Sequence, residues 1–137
     1  MTENNIKSIF EICEATRDKA YAPYSQHNVG AVIIDSAGNL HPGCNVETAH
    51  YKGICAEGSA ISKMVLSGTY LIRDVYVMGP DLNVLCTPCG DCRQRIREFS
   101  DKDTRVHCFG PDQNVAHTFT MEELLPLSFG PENLHLD

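Results

Sequence analysis

The sequence predicts an α/β fold, a mixed sheet with helices on its faces. Three observations predict it. Short β-rich runs alternate with segments of helical apolar spacing. A Gly/Asn turn joins the first two β runs into an opening hairpin. A chain of 137 residues with 42% hydrophobic content can bury a proper core. No linker, repeat or low-complexity tract divides the chain, so residues 1–137 read as one domain.

The elements follow in order. Ile6 to Tyr21 carries Ile6, Ile9, Phe10, Cys13 and Ala20 in a helical rhythm, and Ala22-Pro23-Tyr24-Ser25 stops it. Val29 to Asp35 reads as a strand, Ser36-Ala37-Gly38-Asn39 as a turn, and Leu40 to Val46 as an antiparallel return. Ala56 to Leu66 is a buried helix through Ala60, Ile61, Met64 and Val65, ended by Ser67-Gly68. Ile72 to Met78 is a strand. Cys89 to Phe99 is a helix opened behind Pro88, with Arg93, Arg95 and Arg97 as its charged side. Arg105 to Phe109 is a further strand, closed by the turn Gly110-Pro111-Asp112. Thr120 and Glu123 form a capping box that opens a short helix ending at Pro126.

The balance of charge narrows the function. A net charge of −7 with no Lys/Arg cluster argues against a nucleic-acid surface, which needs clustered cations. The N-terminus has Glu3 and no apolar run, so no signal peptide is read, and no stretch reaches transmembrane length. Seven cysteines is an odd number, and two form a close Cys-x-x-Cys. That fits metal ligation in a reducing compartment better than a disulfide framework, and a soluble, cytoplasmic protein is expected. Cys13, Cys44, Cys86 and Cys108 sit beside apolar residues and read as buried thiols.

The chemistry sits in two segments, Cys55-Ala56-Glu57 and Pro88-Cys89-Gly90-Asp91-Cys92. Three thiolates and one carboxylate are what a catalytic zinc needs: three protein ligands, a position for water, and a proton shuttle. In the first turn of a helix, Cys89 and Cys92 put both sulfurs on one side. At a second helix start, Cys55 and Glu57 can flank the same metal, and helix N-termini favour thiolate over thiol. Taken alone, the Cys-x-x-Cys also fits a redox pair, two buried cysteines, or half of a structural zinc site. A structural site would need a fourth ligand, and Cys44, Cys86, His41 or His50 could supply one.

With these residues in place, the chain resembles the cytidine deaminase family, in particular its small homotetrameric branch. The likeness also covers Pro23-Tyr24-Ser25, Val29-Gly30-Ala31, Gly43-Cys44-Asn45-Val46-Glu47, Cys92-Arg93-Gln94, Arg97-Glu98-Phe99 and Leu124 to Pro131. It implies a three-layer α/β/α sandwich around a mixed sheet of about five strands. It implies hydrolytic deamination of cytidine or deoxycytidine to uridine or deoxyuridine and ammonia, as in pyrimidine salvage. Zinc would be held by Cys55, Cys89 and Cys92, with Glu57 as proton shuttle to a zinc-bound nucleophile. Asn45 and Glu47 would bind the sugar hydroxyls. Tyr24, His27 and the backbone at Ala56 would line the base pocket. Phe129 would reach the active site of a neighbouring subunit in a homotetramer. Read without the family, Asn45 and Glu47 are an ordinary strand end, and Phe129 is a core or interface aromatic.

Three departures from the family pattern stand out. Gly58 replaces the Arg that usually follows Cys-Ala-Glu and bonds the thiolates. His27 replaces a Phe that packs on the base. The segment Thr48 to Ile54 is one residue short, with His50 and Lys52 where Cys and Pro are usual. The related blasticidin S deaminases lack that Arg and Phe, but also lack the Asn-x-Glu pair kept here. An alternative substrate is therefore a modified or analogue cytosine nucleoside. A zinc-binding module without chemistry is the third reading, and the retained Glu57 speaks against it.

Overall fold

The computed structural model describes residues 3–134. Helix α1 (Glu3–Arg17) leads into the hairpin of β1 (Gly30–Asp35) and β2 (Leu40–Cys44). Next come α2 (Ala56–Ser67), β3 (Ile72–Met78), α3 (Gly90–Glu98), β4 (Arg105–Phe109), β5 (Val115–Thr120) and α4 (Met121–Leu124), with a single 3-10 turn at Pro131–Leu134. The five strands form one sheet in the order β2-β1-β3-β4-β5. Only the β3–β4 pair is parallel, so the sheet is mixed, as expected.

Period-two alternation along the strands makes the layers. Val32, Ile34, Tyr76, Met78 and Phe109 face α1, where Ile9, Phe10 and Cys13 cover them. Ile33, Val75, Val77 and Val106 face the other way, under Ala60, Ile61, Met64, Ile96, Met121 and Leu124 of α2, α3 and α4. This is the three-layer α/β/α arrangement. Met64 and Ile96 are wholly buried, and each such side chain contributes roughly 1.5–3 kcal/mol of transfer free energy.

Two glycines let helices seat directly on the sheet. A Cβ on Gly43 of β2 would stand 2.4 Å from Ala60 N and 2.5 Å from Ala56 O. A Cβ on Gly30 of β1 would stand 2.5 Å from Cys13 O. The backbone of α2 therefore lies against β2 with no side chain between them, which fixes where α2 begins.

The register brings the functional ends together. Gly30 pairs with Cys44 on one side and Met78 on the other. The C-terminal ends of β2 and β3 thus flank the start of β1, and the chain leaves that edge towards α2 and α3. At the opposite edge, buried Asp35 is bonded by His41 Nε2 at 2.8 Å and Thr69 Oγ1 at 2.8 Å, and by the backbone N–H groups of Ala37 and Asn39.

Some boundaries differ from the sequence reading. Residues 18–21 are not helical, because Tyr21 bonds through its backbone to Asn45 and Glu47. Strand β2 ends at Cys44, because Val46 pairs instead with Ile54. Strand β5 gave no apolar run, because as an edge strand it has no buried residue; only Val115 and Phe119 pack inward. Arg93 and Arg97 are half-buried rather than part of an open charged side, and only Arg95 stays exposed, paired with Asp91. Cys13 and Cys108 are buried as expected, but Cys44 and Cys86 are only half-buried.

Candidate active site

Cys55 and Cys89 are the N-cap residues of α2 and α3. Both have extended backbone (φ −76°, ψ 160° and φ −67°, ψ 170°), and neither side chain caps its helix. The two sulfurs are therefore free to face one another, at 3.6 Å. Cys92 adds a third, fully buried sulfur from the first turn of α3. The three Sγ atoms lie within 4.8 Å of one another.

This donor set fits zinc. Tetrahedral zinc with Zn–S bonds of about 2.3 Å separates its sulfurs by about 3.8 Å. Without a cation, the Cys55 and Cys92 thiols are driven towards their neutral form. Burial first, and neighbouring sulfurs and Glu57 among the further causes, push Cys55 up to about 11 and raise Cys92 as well. A divalent cation removes that conflict, because it binds the thiolate form. Among the described residues no fourth Cys, His, Asp or Glu ligand atom joins the cluster. His41 is held by Asp35, and His50 is exposed on its loop. The set of three with no fourth is that of a catalytic rather than a closed structural site.

Glu57, in the first turn of α2, is 3% exposed. Burial, the largest cause, raises its pKa above the ordinary carboxylate range, against opposing hydrogen bonds from its own backbone N–H and from Cys92. A buried carboxyl with a raised pKa beside the three sulfurs is suited to proton transfer.

The cluster opens into a cavity of about 650 Å³ whose wall includes Cys55, Glu57 and Cys89. Five of the six expected substrate residues line it: Tyr24, His27, Asn45, Glu47 and Ala56. Phe129 does not. It is 55% exposed on the C-terminal segment, where its carbonyl accepts from Gln94 Nε2 at 2.9 Å. Cys92 lies behind the wall. Thr48 and Tyr51 of the shortened segment also line the cavity, as do Cys86 and Thr87; the sequence reading gave none of the four a substrate role.

Asn45 and Glu47 brace the loop that carries Tyr24 and His27. Asn45 Oδ1 accepts from Val29 N–H at 2.8 Å, and its Nδ2 donates to His27 O at 2.9 Å. Glu47 Oε1 accepts from Tyr24 and Ser25 N–H, each at 3.1 Å, and Oε2 accepts from Ser25 Oγ. Asn45 keeps one donor and one acceptor position, and Glu47 keeps one acceptor position.

A family model described as the cytidine and deoxycytidylate deaminase zinc-binding region matches residues 3–108. This chain belongs to that family. It is thereby a deaminase-type hydrolase, and the three-cysteine cluster is where this deaminase would hold its zinc. It is similar to a cytidine deaminase of Halalkalibacterium halodurans, 37% identical over 123 residues, covering 87% of this chain and 89% of that one. A cytidine deaminase of Sporosarcina psychrophila is 32% identical, covering 95% of both chains. The crystal structure of a cytidine deaminase from Burkholderia pseudomallei superposes with a TM-score of 0.82 at 32% identity, covering 94% of this chain and 100% of that one.

The structure accounts for one departure. Among the described residues no arginine hydrogen-bonds the three cysteine sulfurs in place of the missing Arg. The space a side chain on Gly58 would enter is bounded by Ile54 Cγ1, 3.1 Å from an added Cβ, and by the Arg95 stem, 3.6 Å away. Arg93 of the deaminase does turn inward, but onto Pro88 O at 2.7 Å, Leu124 O at 2.8 Å and Thr87 Oγ1 at 2.9 Å. It therefore braces the segment that delivers Cys89.

Proposed function

We propose that the protein hydrolyses the exocyclic amine of a cytosine nucleoside, giving uridine or deoxyuridine and ammonia. The observation that carries this reading is the buried Glu57 carboxyl at a cavity wall beside three convergent cysteine sulfurs. Cys55, Cys89 and Cys92 would hold zinc, which when bound makes water a stronger acid and a ready nucleophile at neutral pH. Glu57 takes one water proton as the oxygen adds to the amine-bearing carbon and gives it to the ring nitrogen, then carries the remaining hydroxyl proton to the amine, which leaves as ammonia as the carbonyl forms. The backbone at Ala56 and the side chains of Tyr24 and His27 frame the base. Asn45 and Glu47 offer their remaining positions to a sugar hydroxyl while still bracing the Tyr24–His27 loop.

No Lys or Arg lines the cavity, whereas Glu47 and Glu57 do. Among the described lining residues a phosphate would meet two carboxylates and no Lys or Arg side chain, which supports a free nucleoside over a nucleotide or nucleic acid. His27 favours a second reading, a pocket relaxed towards C5- or N4-substituted cytosines. Its backbone is pinned by Ser25 Oγ and Asn45 Nδ2, while its ring stands at an exposed position on the cavity wall. We also propose a homotetramer in which Phe129 enters a neighbouring site; its exposure, with Leu127 96% exposed nearby, supports this.

The test is an ultraviolet deamination assay on zinc-quantified protein with cytidine, deoxycytidine, 5-methylcytidine, an N4-substituted cytidine, blasticidin S and free cytosine. Fast loss of cytidine and deoxycytidine is expected. Zinc-replete protein that turns over no member of the panel refutes the reading. Preference for a substituted member selects the second one.

A further inference from the structure

Among the described residues, Thr48 Oγ1 is the one buried side-chain polar atom without a hydrogen-bond partner. Thr48 also lines the main cavity. Buried hydroxyls are almost always paired, so this one needs a cause.

The loop around it is built tightly. Val46 and Ile54 exchange backbone hydrogen bonds at 3.0 and 2.9 Å, closing the loop at its base. Gly53 permits that closure, since a Cβ there would stand 2.3 Å from Val46 O. Within the loop Tyr51 N–H donates to Thr48 O at 3.0 Å, and Tyr51 takes φ +60°, a region that non-glycine residues rarely adopt. Strain of this kind gathers at ligand sites.

Thr48 follows Glu47 directly, so it extends the wall that Asn45 and Glu47 begin. Those two are partly committed to the Tyr24–His27 loop, Asn45 through two of its four positions and Glu47 through three. Thr48 keeps its whole capacity, one donor and two acceptor positions. The residue is half-buried although Oγ1 is not exposed, so its accessible area belongs to its other atoms. A change of χ1 rotamer can bring the hydroxyl to the cavity surface. A neutral hydroxyl in a cavity lined by no Lys or Arg suits another hydroxyl rather than a phosphate.

We propose that Thr48 is a substrate-binding residue that recognises one hydroxyl of the substrate's sugar. This rests on the nucleoside reading above. The test compares kcat/KM of wild type, Thr48→Val and Thr48→Ser on cytidine and its 2′-, 3′- and 5′-deoxy analogues, with Tm as a fold check. Thr48→Val should lose about tenfold on cytidine and on two analogues, but nothing on the analogue that lacks the recognised hydroxyl. Thr48→Ser, which keeps the hydroxyl, should stay within about twofold of wild type. Thr48→Ala should repeat the valine pattern if valine disturbs the fold. An equal loss on all four substrates, or no loss with a raised Tm, overturns the proposal and leaves the nucleoside reading intact. Wild type inactive on all four overturns both.

Discussion

Glu57 and the three cysteines divide the proposed chemistry between them, and single substitutions should separate the parts. Glu57→Gln keeps the shape of the side chain and removes its proton transfer. Turnover should fall roughly 10²–10⁴-fold with zinc stoichiometry unchanged. Cys89→Ala should instead lose zinc and lower Tm, because metal binding is linked to folding. Zinc content by elemental analysis beside kcat distinguishes the two; Cys89→Ala protein with full zinc and full turnover would remove Cys89 from the ligand set. All four residues were legible in the sequence because two short local spacings occur together in the pattern of a known family. Cys-x-x-Cys shares one helical turn, and Cys-x-Glu straddles a helix start. Thr48 was not legible. Its interest lies in a missing partner, which only packing reveals.

At the scale of elements, the site depends on how α2 and α3 are seated. Gly43 carries no side chain, so α2 rests on β2 backbone against backbone. Gly43→Ala places a methyl where the nearest atoms are the backbone N of Ala60 and O of Ala56, neither of which can rotate away. Destabilisation of about 3 kcal/mol is expected, measured by urea unfolding, with weaker zinc retention because Cys55 stands at the start of that helix. An unchanged unfolding midpoint would mean that α2 is not held there. The sequence marked both helices and four of the five strands. It missed β5, whose edge position leaves half of its residues in solvent, and it ran α1 on to Tyr21, whose backbone pairs with the Asn45–Glu47 strand end.

For the whole molecule, two histidine–carboxylate pairs link strands and set an acid limit. For Asp35, burial raises the pKa, but bonds from His41, Asn39 N–H, Thr69 and Ala37 N–H together hold it below the usual carboxylate range. Asp74 is also held low: burial opposes, and His107 at 2.8 Å with Arg73 outweighs it. With folded pKa values below the unfolded value near 4, their stabilisation is complete above about pH 4 and is lost as pH falls further. Urea midpoints should therefore drop steeply below about pH 4 in wild type. Asp35→Asn should be less stable at pH 7 and show a shallower acid slope, and an identical slope would refute the role of Asp35. Chelation at neutral pH should lower Tm and be reversed by added zinc.

By itself the sequence determined the family, the cysteines and glutamate that converge, and a mixed sheet with helices on its faces, since motif resemblance, local spacing and apolar periodicity carry these. The tertiary structure decided what surrounds that chemistry. It turned Arg93 onto carbonyls instead of thiolates, used Asn45 and Glu47 to brace a loop 16–23 residues away in the chain, and left one threonine hydroxyl unpaired in the cavity wall. Those outcomes depend on which groups meet across long chain separations. Residue spacing along one strand or helix carries no record of them.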